Sequence, residues 1–215
     1  MSGQSSVLIV LAVLSATASA ALPFVWSDCS SDKAHNALVV HSIEVSPVPL
    51  AIPGDLHLTF NATVLKPIQV AMMDFKFVRK TALGTDVPIA CVGNVGSCTF
   101  DGCSILNDLG QIGSQSTAQN VTSQISTMFN NAGANIACPI QPQSIVVRDF
   151  VFHIPRLSSA MDIFATGDYN VTVQLREPAT DAQLGCLTFD ASLVKPSPTC
   201  SGWLCSGRRK RHVAP

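Results

Sequence analysis

The chain has 215 residues, 47% of them hydrophobic and only 13% charged, with 13 Lys plus Arg against 14 Asp plus Glu. A chain this long and this apolar has the means to bury a sizeable core, which excludes an intrinsically disordered protein. Four of the basic residues form the run RRKR at 208–211, and the rest of the chain is mildly acidic, which excludes nucleic acid as a partner.

Residues 7–14 read VLIVLAVL, an apolar run too short to span a membrane, and Ala18-Ser19-Ala20 supplies the small residues that a signal peptidase needs. Residues 1–20 are therefore read as a signal peptide, 21–195 as one domain and 196–215 as a tail. The RRKR run fits either a processing site of the furin type or a merely solvated tail. Entry into the secretory pathway makes the compartment oxidising, so eight cysteines read as four disulfides. Cys91, Cys98 and Cys103 are spaced C-x6-C-x4-C, with neither the close pairs and histidines of a zinc site nor the C-x-x-C of a redox site. No metal and no cofactor is expected.

Period-two alternation dominates the chain in order. Val39, His41, Ile43 and Val45 are expected to share one strand face. Leu56, Leu58, Phe60, Ala62 and Val64 share the next, opposite His57, Thr59, Asn61 and Thr63. Ala71, Met73, Phe75 and Phe77 follow, then Phe150, Phe152 and Ile154. Tyr169, Val171, Val173 and Leu175 form a later row, and Leu187, Phe189, Ala191 and Leu193 the last. Residues 104–137 interrupt this with a Ser, Gln, Asn and Thr-rich excursion in which Val121, Ile125, Met128 and Phe129 fall at helical spacing. That excursion packs its apolar stripe on the sheets, or serves as a flap over a cavity. The fold class is all-β, antiparallel, with a short helical excursion. Sequons at Asn61, Asn120 and Asn170 mark glycosylation candidates, and Asn61 and Asn170 fall on the polar faces of their strands.

No nucleophile elbow, zinc-protease helix or phosphate-binding glycine loop occurs, and the five histidines are scattered. Nothing singles out a pair of carboxylates for glycoside hydrolysis, so a hydrolase is the least favoured reading.

An ordered set of motifs resembles the ganglioside GM2 activator family. It comprises FVWSDC at 24–29, the S-x-E-x-S-P-x-P-L-x-I-P-G pattern at 42–54, IAC-x6-CTFD-x-C at 89–103 and Cys138-Pro139. It continues with TGDY at 166–169, LGC at 184–186 and ASL at 191–193. The resemblance implies a two-sheet β-cup enclosing an apolar lipid cavity. It also implies a non-enzymatic protein, secreted or lysosomal, that lifts a lipid or glycolipid from a transient membrane contact. Such a protein presents that lipid to a soluble glycosidase such as a hexosaminidase. It pairs Cys29 with Cys186, Cys91 with Cys98 and Cys103 with Cys138; parity then leaves Cys200 and Cys205 to each other. The candidate cavity lining is Leu58, Phe60, Val64, Met73, Phe75 and Phe77 from the first half, with Phe150, Phe152, Val171, Val173, Leu187 and Phe189 from the second. Met161, Ile163 and Phe164 are the candidates for membrane contact. The family's fourth disulfide, inside the excursion, has no counterpart here, and its membrane-loop tryptophans are replaced. The alternative is a secreted β-sandwich recognition module with a solid core and no lipid transfer.

Overall fold

The computed structural model describes residues 21–81, 83–92, 94–105, 115–156, 164 and 166–196. The leader, Met161, Ile163, Cys200, Cys205 and the basic run lie outside these residues. The alternating segments form ten strands: β1 (Val25–Asp28), β2 (Leu38–Ser46), β3 (Leu50–Ala51), β4 (Gly54–Val64), β5 (Met72–Lys80), β6 (Asp86–Ile89), β7 (Thr99–Asp101), β8 (Gln143–Ile154), β9 (Gly167–Arg176) and β10 (Gln183–Val194). A helix, α1 (Gln115–Asn131), separates β7 from β8.

Two sheets result. The larger runs β1-β10-β9-β5-β6, with β3 beside β10 and β7 beside β5, and the smaller runs β2-β4-β8. Every pairing is antiparallel except the short β3–β10 contact, which is parallel. On the large sheet, Phe77 lies opposite Val171 and Phe75 opposite Val173, while Val171 and Val173 lie opposite Phe189 and Leu187. These rows face inward, and the outward rows carry Asp74, Asn170, Thr172, Arg176 and Asp190.

Bulges adjust two strands of the small sheet. In β2 the register steps at His41: Val40 lies opposite Ala62, and Ile43 opposite Phe60. The expected single face of Val39, His41, Ile43 and Val45 is therefore corrected. Leu38 and Val40 face inward before the bulge, Ile43 and Val45 after it, and Val39 lies opposite Thr63 on the outer side. One extra residue rephases the strand, and the His41 ring turns outward to Thr63 Oγ1 at 2.9 Å. The second bulge is in β8, where Val147 lies opposite Phe60 but Phe150 opposite Leu58. Asp149, at φ 44°, takes up the slack, and its N–H donates to Thr59 Oγ1 at 3.2 Å. Ile145, Val147, Phe150 and Phe152 thereby share the inner face.

Helix α1 contains no charged residue and few strong helix formers. It is held by tertiary packing on β8 rather than by propensity. It ends in a Schellman motif: Gly133 adopts φ 67°, its N–H donates to the Asn130 carbonyl at 3.0 Å, and the Ala134 N–H donates to the Phe129 carbonyl at 2.9 Å. That turn delivers Ala134 into the interior.

Three disulfides join Cys29 to Cys186, Cys91 to Cys98 and Cys103 to Cys138, the pairs that the resemblance implies. On the outer face of the large sheet, Arg176 bridges Asp74 and Asp181, and Thr99 donates a further hydrogen bond to Asp74. Burial pushes the Asp74 carboxyl up, but these hydrogen bonds and the Arg176 charge outweigh it and hold the group below its usual value. Because the folded value is the lower one, the stabilisation is present above the unfolded value of about 3.9 and is lost as pH falls through the folded one. The variant Asp74→Asn is expected to unfold at lower denaturant than wild type at neutral pH. The two curves converge as pH falls through the folded carboxyl's own value, and denaturation followed by circular dichroism from neutral to acid pH checks the sign.

Candidate functional site

The strands that build the cup leave a cavity of about 770 Å³ at one end. Its walls come from three places. The sheets contribute Leu38, Phe60, Val64, Met73, Ile145 and Leu175; connectors contribute Ile68, Ala71 and Ile140; helix α1 and the turn after it contribute Ile125, Phe129 and Ala134. The Cys103–Cys138 disulfide is itself part of the wall. The main cluster of buried apolar residues, Ala37, Val64, Ile68, Ala71, Ala134, Ile145 and Leu175, is for the most part this same wall. Much of this buried apolar cluster is therefore a shell around a space.

The lining's chemistry is hydrocarbon with a few neutral polar groups, among them Ser126, Asn130 and Asn135. No Asp, Glu, His, Lys or Arg is among the described lining residues. Displaced carboxyls elsewhere move in the wrong direction for a general acid. Burial raises Asp28, but hydrogen bonds from Ser30 and the charge of Lys33 hold it below its usual value, and the hydrogen bond with His35 does the same for Asp32. The strand histidines are occupied on the outer face of the small sheet, where His57 meets Asp149 and His153 meets Asp55, each at 2.7 Å.

Of the lining candidates read from the sequence, Phe60, Val64 and Met73 border this cavity. Leu58, Phe75, Phe77, Phe150, Phe152, Val171, Val173, Leu187 and Phe189 occupy the inner faces of the two sheets beyond it. Most of these are half-buried rather than sealed, and they include the Phe75–Phe77 stack at 6.3 Å. Trp26, opposite Phe189, joins the same inner face. Sequence reasoning missed Ile68, Ala134 and Ile140 because they sit in connectors, where no alternation marks them; it set Ala71 in the row of Met73, Phe75 and Phe77 without counting it as lining. The Gly133 stop signal was the available clue for Ala134. Phe164 is half-buried, and its carbonyl accepts a hydrogen bond from Tyr169 at 3.3 Å. Among the sequons, Asn120 is exposed on α1 and Asn61 is half-buried, while Asn170 Nδ2 donates to Asp190 at 2.8 Å.

A model of the ML domain matches residues 23–193. The chain belongs to the ML domain family. Among curated relatives, this ML domain is 28% identical over 200 residues to the ganglioside GM2 activator of Macaca fascicularis, covering 88% of this chain and 96% of that protein. It is 23% identical over 171 residues to the ganglioside GM2 activator of Mus musculus, covering 79% and 81% respectively. Among solved structures, it is similar to the crystal structure of a Niemann-Pick type C2 protein from Japanese carpenter ant, with a TM-score of 0.39 and 12% identity over 79% of this chain and 99% of that one.

Helix α1 closes one side of this ML domain's cavity, and the Gln124 side chain ties it to the sheet. Gln124 Oε1 accepts the His153 N–H at 2.6 Å, and Gln124 Nε2 donates to the His153 carbonyl at 3.0 Å. The amide thus stands in for the next strand on the open edge of β8. Gln124→Leu keeps the bulk and removes both bonds. With each bond worth about 1 kcal/mol net, amide exchange over residues 120–131 is expected to quicken by roughly tenfold or more, measured by hydrogen–deuterium exchange with mass readout.

Proposed function

We propose that this protein is a non-enzymatic carrier that binds a lipid by its acyl chains and transfers it. In this reading it presents a membrane lipid or glycolipid to a soluble hydrolase after secretion or delivery to the lysosome. The observation that carries the proposal is the cavity of about 770 Å³ with its uncharged, largely apolar lining. That volume lies within the roughly 300–1,000 Å³ span of small-molecule sites, and it argues against a recognition module with a solid core. An apolar wall of this extent left facing water keeps hydrocarbon surface unburied, and an acyl chain in the space takes that surface out of water.

An acyl chain gains roughly 0.8 kcal/mol per methylene on leaving water, but it has already gained this in a bilayer. Extraction is then close to neutral, and the carrier's work is to open at the membrane and close in water. The turn between β5 and β6 suits such a contact: Leu83 there is 92% exposed, and Val87 follows on the edge strand. Residues 160–165, with Met161, Ile163 and Phe164, are proposed to join it. The names of the two relatives, ganglioside GM2 activators, support a glycolipid cargo and an activator role; we propose a soluble glycosidase such as a hexosaminidase as the partner. We further propose cleavage near Ala20, glycans at the three sequons and a Cys200–Cys205 bridge in the tail.

Native mass spectrometry of the protein purified from a eukaryotic host is expected to detect co-purified lipid, and the protein is expected to move fluorescent lipid between vesicles. Replacing Ala134 in the cavity wall by Trp should reduce bound lipid at least several-fold while the thermal melt stays cooperative. Absence of both bound lipid and transfer in the wild type overturns the carrier reading.

A further inference from the structure

One inner-face row of β5 changes character along its length. Met73, Phe75, Phe77 and Arg79 lie opposite Leu175, Val173, Val171 and Tyr169 of β9 in turn. Met73 and Leu175 border the cavity, and Val171 and Tyr169 are buried, so the whole row faces between the sheets. Its far end is an exposed guanidinium. Six residues of strand separate Met73 from Arg79, about 20 Å at 3.3 Å per residue, a distance comparable with an extended acyl chain. The row has the polarity of an amphiphile.

Arg79 is positioned rather than loose. Its Nη2 donates to the Thr166 carbonyl at 3.3 Å. Its guanidinium lies over Gly167, whose φ is 132°, and a Cβ added there would come within 3.1 Å of Arg79 Nε. Of five N–H donors one is spent on Thr166. Among the described residues Arg79 has no ion pair, whereas Arg176 on the outer face of β9 is held by two carboxylates. Among the described residues, neighbours on the inner face add no negative charge: Val87 lies opposite on β6, and the Tyr169 hydroxyl donates to the Phe164 and Thr166 carbonyls. The nearby carboxylates, Asp86 and Asp168, lie opposite Lys80 and so on the outer side. A planar fork with free donors, at the wet end of an apolar row, matches the oxygens of a phosphate, sulfate or carboxylate.

We propose that Arg79 anchors the headgroup of the carried lipid, and that the preferred cargo is therefore anionic, with phosphate, sulfate or carboxylate on its headgroup. This rests on the carrier reading and names its cargo class. The test is transfer of two fluorescent tracers with identical acyl chains, phosphatidylglycerol and phosphatidylcholine, from donor vesicles containing the same fixed fraction of unlabelled anionic lipid. Membrane charge is then equal in both arms, and only the cargo differs. Wild type is expected to move the anionic tracer about tenfold faster, the factor for about 1.4 kcal/mol from one charge-assisted contact. Arg79→Gln brings the ratio of the two rates close to one, and Arg79→Lys restores part of it. Arg148→Gln, an equal charge loss in the β8 bulge, leaves the ratio as in wild type.

A wild-type ratio near one overturns the proposal, as does a ratio unchanged in Arg79→Gln. Failure of wild type to move either tracer overturns the carrier reading instead.

Discussion

Two sheets whose apolar faces meet over a space cannot hold each other by the packing that stabilises a solid sandwich. The rest of the structure answers that constraint. Most of the main buried apolar cluster is cavity wall, and its members there are mostly small or branched: Val64, Ile68, Ala71, Ala134, Ile145. Covalent links take over part of what interdigitation would otherwise do. By chain entropy alone, loops of 157, 7 and 35 residues correspond to stabilisation of about 5, 2.5 and 4 kcal/mol for the three disulfides. The first ties the opening strand to the closing one, and the third is set into the wall itself.

Much of this was legible in the sequence, and what was not has a physical explanation. Alternation identifies a face wherever a strand is regular, so the rows of β4, β5, β9 and β10 can be read directly. It fails where one residue is inserted. Val39-Val40-His41 and Val147-Arg148-Asp149 each hide a change of phase, because the apolar pattern before the bulge and the pattern after it both look regular. The cavity itself is the least legible part. Its wall depends on connectors and on the turn after the helix, and residues such as Ile68 and Ile140 join it through an isolated pairing of two backbone segments. Periodicity carries no information about such contacts. The cysteine pairing came from an ordered family pattern, which spacing alone would have left open.

Charge is sorted by face. Outside, several charged groups are matched: Asp74 with Arg176 and Thr99, His57 with Asp149, His153 with Asp55. Among the described residues that line the cavity there is none, and the helix that borders it is neutral from end to end. The Gln124 clasp is made of amide and peptide groups that neither gain nor lose protons between acid and neutral pH.

The bond between Cys103 and Cys138 has a consequence for durability. Because it closes the segment that contains α1 into a ring, one cut anywhere between those residues opens the ring without releasing either piece. Both new ends stay attached to the body through sulfur, and two separate cuts are needed before anything is lost. The first nick in this segment is thereby survivable.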